Sequence, residues 1–166
     1  MGISMRLYLA HDSDLRAFTG APRTLQMWLR YPHSLPETSL KDSWQDLDSI
    51  LLNESFADSR SLLRPQGADW TYPFVADRGA HAISATSTVQ LLSAIDAVDR
   101  ARVEAYVRRR AAAQTKDNGP PAPALTPEEL SRATDDLLHY LSRLRESCAL
   151  AVSKGYGVLM ALWDEL

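Results

Sequence analysis

Hydrophobic and polar positions along the chain change period several times, and each change marks an element. Residues 5–10 alternate and are rich in Leu and Tyr, then stop at His11-Asp12-Ser13-Asp14, which predicts a short strand running into a helix start. Asp12 or Ser13 is placed to cap that helix, and Leu15 and Phe18 supply its apolar face before Gly20-Ala21-Pro22. Leu25, Trp28 and Leu29 share one face of a second short helix that ends at Tyr31-Pro32, leaving His33–Thr38 as a loop. Ser39 then reads as the cap of an amphipathic helix carrying Leu40, Trp44, Leu47 and Leu51 at intervals of four, three and four.

After a polar stretch, Asp69-Trp70-Thr71-Tyr72-Pro73-Phe74 reads as an aromatic-rich turn region, and His81–Ser84 as a brief strand. Ser87-x-x-Gln90 matches a capping box, with Val89, Leu92, Ile95, Val98 and Tyr106 continuing an apolar face to about Arg110. Within it, Asp96/Arg100 and Glu104/Arg108 are spaced as i,i+4 ion pairs, and Arg108–Arg110 would meet a helix C-terminus. Residues 111–125 lack periodicity and are rich in Pro and Ala, so a mobile insertion is expected there.

The sharpest local signal is Thr126-Pro127-Glu128-Glu129. Thr caps, Pro takes the first helical position where its missing N–H costs nothing, and Glu129 closes the capping box. Leu130, Ala133, Leu137, Leu141, Leu144, Cys148 and Ala151 then recur at intervals of three and four up to Gly155, a C-cap. Tyr156–Trp163 follows as an apolar strand. The expected fold is α+β and helix-dominated: a small sheet formed by the chain termini, packed against several amphipathic helices. Its 166 residues fit a single domain.

Composition narrows the function classes. Eighteen Lys and Arg against twenty-one Asp and Glu give a formal charge of −3, which argues against a nucleic-acid partner. One cysteine, Cys148, rules out an intrachain disulfide, and its place on the apolar stripe predicts a buried, unreactive thiol. No secretory signal, membrane span or myristoylation pattern is present in the sequence, so the expected location is the cytoplasm with no membrane partner.

Three stretches resemble the YfbM-like family, small bacterial proteins of unknown function. Met1–Leu9 with Ser13-Asp14-Leu15 is similar to the family's opening strand and helix start, and Lys41-x-x-Trp44-x-x-Leu47-x-x-Ile50-Leu51 to a family helix. Ala149–Leu162, with Gly155 inside it, is similar to the closing helix, glycine and strand. The resemblance implies a fold rather than an activity. It also exposes a departure: where family members commonly carry His one and four residues after the Trp, this chain has Gln45 and Asp48.

Candidate chemistry is sparse. Asp48 falls on the shoulder of the Trp44 stripe, where a carboxylate must be paired, hydrogen-bonded or at a cleft edge. His11, His33, His81 and His139 are scattered with no two-His metal spacing, and neither a G-x-S-x-G elbow nor a phosphate-binding glycine loop occurs. No catalytic residue, metal or cofactor is therefore expected. The Arg100–Arg110 cluster is accounted for by acids on its own helix and by the helix end.

A non-catalytic protein-binding domain follows as the first expectation, in concrete form an immunity protein that neutralises a cognate bacterial toxin. Loop aromatics flanked by carboxylates suit such a role, and Asp46, Asp48, Trp70 and Tyr72 are its expected contact residues. The alternative is a small cytosolic enzyme or small-molecule binder with a pocket at Trp44, Asp48 and His81. A homo-oligomeric structural role is a third.

Overall fold

The computed structural model describes residues 2–52, 61–114, 119–120 and 123–165. Among these, five strands form one antiparallel sheet: β1 (Ile3–Ala10), β2 (Thr38–Lys41), β3 (Trp70–Tyr72), β4 (Ala80–Ile83) and β5 (Gly157–Asp164), in the order β2-β1-β5-β4-β3. The two terminal strands are its centre. Met5 lies opposite Leu162, Leu7 opposite Met160 and Leu9 opposite Val158. Among the described residues six α-helices surround it: α1 (Asp12–Ala17), α2 (Pro22–Arg30), α3 (Trp44–Leu52), α4 (Ala85–Asp96), α5 (Arg100–Gln114) and α6 (Pro127–Lys154).

Both faces of the sheet are covered, which is why β5 is apolar at nearly every position. Side chains alternate across a strand, so Val158, Met160 and Leu162 share one core with Met5, Leu7, Leu47, Leu141 and Leu144, under α3, α4 and α6. Leu159 and Ala161 point the other way, into a core with Tyr8, Tyr72, Leu15, Phe18 and Leu25, under α1 and α2. A third cluster of Ile50, Val103, Val107 and Leu137 fastens α5 to α3 and α6.

The long helix behaves as its sequence predicts. Thr126 accepts the Glu129 N–H at 3.2 Å, Glu129 accepts the Thr126 N–H at 2.9 Å, and Gly155 ends the helix at φ 69°, the left-handed region that suits glycine. No described helix is long and apolar enough to cross a membrane.

Several boundaries differ, each for a tertiary reason. Residues 38–41 are strand β2 rather than the first turn of a helix, and α3 begins at Trp44. Leu40 and Trp44 still reach the same core, one from a strand and one from a helix, so a helical spacing arose without a continuous helix. Trp70–Tyr72 is an edge strand rather than a turn, because β4 offers it a hydrogen-bonding edge. The segment from Ser84 to Arg110 is two helices. Ser84, not Ser87, caps α4 by accepting the Ser87 N–H at 3.2 Å, and Asp99 accepts the Arg102 N–H at 2.9 Å to start α5. Val89 consequently faces out at 52% exposure, while Thr88, Leu91 and Ile95 face in.

The ion pairing shifts accordingly. Asp96 takes Arg145 from α6, and Arg100 takes Glu104 and Asp135. Helix α5 continues to Gln114, so residues 111–114 are helical rather than part of an insertion, and Arg108–Arg110 do not sit at a helix end. Residues 115–118 and 121–122 of that expectation lie outside the described residues. At the start of the chain His11 occupies the cap position of α1, and the Asp12 side chain instead accepts the Ala85 N–H of α4 at 2.9 Å.

Candidate functional site

Asp48 and His81 are both fully enclosed. Asp48, 2% exposed, sits on the inner side of α3, where a bare carboxylate would be costly. The strap of residues 61–67 meets that need: Ser61 Oγ and Arg64 Nε both donate to the Asp48 carboxylate, the latter at 2.5 Å. His81 projects from β4 to the same strap, its Nε2 3.1 Å from the Leu63 carbonyl. A carbonyl only accepts, so Nε2 carries the proton and Nδ1 keeps its lone pair, which finds no partner among the described residues. Burial pushes His81 down to about 4, against smaller opposing effects of the Leu63 carbonyl and Asp48.

The two side chains thus latch one strap over the core. The hollow beside Asp48 measures about 10 Å³ and is lined mainly by Leu51, Leu52, Leu62, Leu63 and Leu91. That is the volume of roughly one water and far below a ligand pocket of about 300–1,000 Å³. Trp44 is also occupied, its indole N–H donating to the Ile3 carbonyl at 2.9 Å.

The expected contact residues are likewise drawn inward. Tyr72, 2% exposed, donates its hydroxyl to the Leu15 carbonyl at 2.5 Å, and burial raises its pKa well above the ordinary phenol value. Asp46 accepts the Tyr106 hydroxyl and Arg110 Nη1, each at 2.6 Å. Burial first and Asp46 second push the Tyr106 phenol up to about 12. Trp70 is half-buried against the α1–α2 side core. Asp48 and Tyr72 therefore offer no surface to a partner, a correction to the sequence reading. An aromatic or acid in a polar stretch satisfies its own neighbours first.

The arginines of α5 serve the fold as well. Arg102 Nη2 donates to the Ile50 carbonyl at 2.6 Å, at the end of α3 where carbonyls lack helical partners. Cys148 is buried, with its thiol pushed up to about 12 by burial. His139 faces solvent. Among the described residues no three His, Cys, Asp or Glu side chains come together as a metal site. A hollow of about 560 Å³ lies between the end of α5 and residues 123–131, and neither Asp48 nor His81 lines it.

Within the aromatic segment the exposed residue is Phe74, rather than the expected Trp70 and Tyr72. Phe74 is 85% exposed on the loop joining β3 to β4. Helix α2 exposes Met27 at 57%, and Tyr31, just beyond it, is 62% exposed. The loop is held rather than free. Gln26 Nε2 of α2 donates to the Phe74 carbonyl at 3.0 Å, the Arg78 N–H to the Leu162 carbonyl at 3.0 Å, and Arg78 Nε to Asp164 at 2.8 Å. Asp77 accepts the Asp164 N–H at 3.2 Å, and Val75 is a fully buried anchor. Ala76 stands at φ 59°, a left-handed conformation costing a non-glycine residue about 1–2 kcal/mol, which persists because these bonds over-determine it.

Between the loop and α2 lies a notch of about 190 Å³ lined by Gln26, Leu29, Arg30, Ala76, Asp77 and Trp163. The indole N–H of Trp163 is shielded from solvent and has no acceptor among the described residues. Arg6 covers the Trp163 ring, with its guanidinium 5.7 Å from the ring centroid. The signal for this surface was in the sequence, as an aromatic two residues beyond a strand and past a proline. Its outward direction depended on the course of the loop.

Neither a family model nor a curated protein matches the sequence. Among solved structures, the chain is similar to a protein of unknown function, YfbM from Escherichia coli, at a TM-score of 0.64 over 96% of this chain and 99% of that one, with 11% identity. The likeness is one of fold, and it covers the whole arrangement of terminal strands and surrounding helices.

Proposed function

We propose that this chain is a non-catalytic protein-binding domain that docks through the Phe74 loop and the outer side of α2, and that its partner is a bacterial toxin which it neutralises. One observation carries the reading: a large aromatic side chain, 85% exposed, is presented on a loop fastened to both α2 and β5. An exposed aromatic on a pre-ordered loop is the kind of group that dominates binding energy, because little conformational entropy is lost when it docks. The adjoining notch of about 190 Å³ is too small for a drug-sized ligand but accepts a single side chain. A formal charge of −3 favours encounter with a cationic protein, a common property of toxins that act on nucleic acids.

The reading places the contact surface away from Asp46, Asp48 and Tyr72, whose polar groups are already used inside the fold. It is tested by co-expressing the chain with toxins encoded beside its gene. Growth should be rescued, a complex should co-elute on size exclusion, and Phe74→Ser should weaken it roughly tenfold or more. A toxin neutralised equally well by Phe74→Ser would remove this face. No rescue and no complex with any neighbouring toxin would remove the toxin as partner.

A further inference from the structure

We propose that the hollow between α5 and the start of α6 binds a small apolar monocarboxylate, with its hydrocarbon body against Leu125 and Leu130 and its carboxylate on Arg108. The site lies apart from the Phe74 face and does not depend on how that face is used.

The hollow has a local cause. Val103 and Val107 of α5 pack with Leu137 of α6, and Val107 is the last buried residue of α5. Ala111 continues that stripe at the same interval of four, and with Ala112 it is too short to fill the space before Leu130. Residues 123–125 supply a further wall, on which Leu125 keeps 36% of its surface exposed. The resulting volume of about 560 Å³ lies within the roughly 300–1,000 Å³ of small-molecule sites, and the walls are mainly apolar, as in such sites.

Charge selects the ligand. Glu104 four residues before Arg108 is the favourable orientation of a helical ion pair, yet Glu104 turns back to Arg100 at 3.2 Å. Arg100 is itself held against α6, donating to Asp135 at 2.7 Å and to Ser131 at 3.4 Å. Arg108, on the wall of the hollow, is left with no acid and no hydrogen-bond partner among the described residues. The acid on the same wall, Glu104, is already neutralised. A free guanidinium beside an apolar hollow favours a ligand with one anionic group on an apolar body. A carboxylate suits it best, because its two oxygens match the guanidinium fork. Ser131, also on the wall, accepts from Arg100 and keeps its own hydroxyl proton to donate.

Isothermal titration of the full chain with decanoate, and with 1-decanol as its uncharged analogue, tests this. Decanoate should bind at a single site with a dissociation constant on the order of 100 micromolar or tighter, and decanol roughly tenfold more weakly. Arg108→Gln should lower the affinity for decanoate roughly tenfold and leave that for decanol unchanged. Leu125→Asp should weaken both ligands roughly tenfold or more. Both positions are exposed, and unchanged thermal unfolding would show that the variants still fold. No saturable uptake of decanoate by about 1 mM, equal affinity for decanoate and decanol, or an Arg108→Gln variant that binds decanoate as tightly as wild type would each overturn the proposal.

Discussion

Acidification from pH 8 to pH 5 should destabilise this protein through one buried imidazole. His81 has no solvent exposure, and burial holds it at about 4 in the folded chain, against about 6.5 when unfolded. Between those values the unfolded chain binds a proton that the folded chain refuses. The free energy of unfolding therefore falls as the pH falls, and the contribution is intact only above about pH 6.5. Linkage gives a loss of about 2 kcal/mol by pH 5 and about 3 kcal/mol once the pH is well below 4. Protonation would place a cationic N–H at Nδ1, where no described residue offers an acceptor, and would loosen the strap held by the Leu63 carbonyl.

The perturbation is His81→Gln, which keeps an N–H for Leu63 but does not titrate. Urea unfolding of both chains at pH 8, 7, 6 and 5 supplies the assay. His33 is also lowered, mainly by burial, but it is present in both chains and cancels in the difference. The stability gap between wild type and variant should change by about 2 kcal/mol over that range, in the direction of a relatively more stable variant at low pH. Parallel stability curves would refute the reasoning, since they would mean that His81 binds its proton equally well folded and unfolded.

Other consequences can be measured directly. Asp48→Ala should cost about 2–3 kcal/mol by chemical unfolding, because Ser61 and Arg64 lose their acceptor; the partial exposure of Arg64 keeps the figure below that of a fully buried pair. A loss under half a kcal/mol would show that the strap needs no latch. Gly157→Ala should cost about 2–3 kcal/mol, since a Cβ there would lie 2.4 Å from the Ile83 carbonyl and 2.7 Å from Leu15; an unchanged midpoint would contradict that packing. Thr126→Ala should cost about 1 kcal/mol through the lost cap of α6, seen as a lowered urea midpoint with an unchanged slope. Cys148 should resist a thiol reagent at pH 8 in the native protein and react at once in denaturant; rapid native labelling would contradict its burial.

Several elements were legible before any coordinates because their causes are local. The capping box at Thr126, the intervals of three and four through α6 and the left-handed Gly155 lie within a few residues of one another, and the helix they predict is the helix observed. The terminal strands were equally legible, the first from the alternation of residues 5–10 that stops at His11-Asp12, the second from the apolar run that follows Gly155. So was the need of Asp48 for a partner, which follows from the cost of burying a carboxylate.

Only the tertiary structure decided the rest. Residues 38–41 became a strand because β1 offered them a free edge, and the helix from Ser84 broke at 97–99 because Asp99 starts a new one toward α6. The partners of Asp48 lie 13 and 16 residues away, beyond any periodicity that links them. Tyr72 and Phe74 are two aromatics two residues apart, yet one is sealed in a core and the other stands in solvent. Their chemistry is nearly the same. Which of them points outward is set by where a distant helix and a distant strand pin the loop between them, and no short stretch of sequence contains that information.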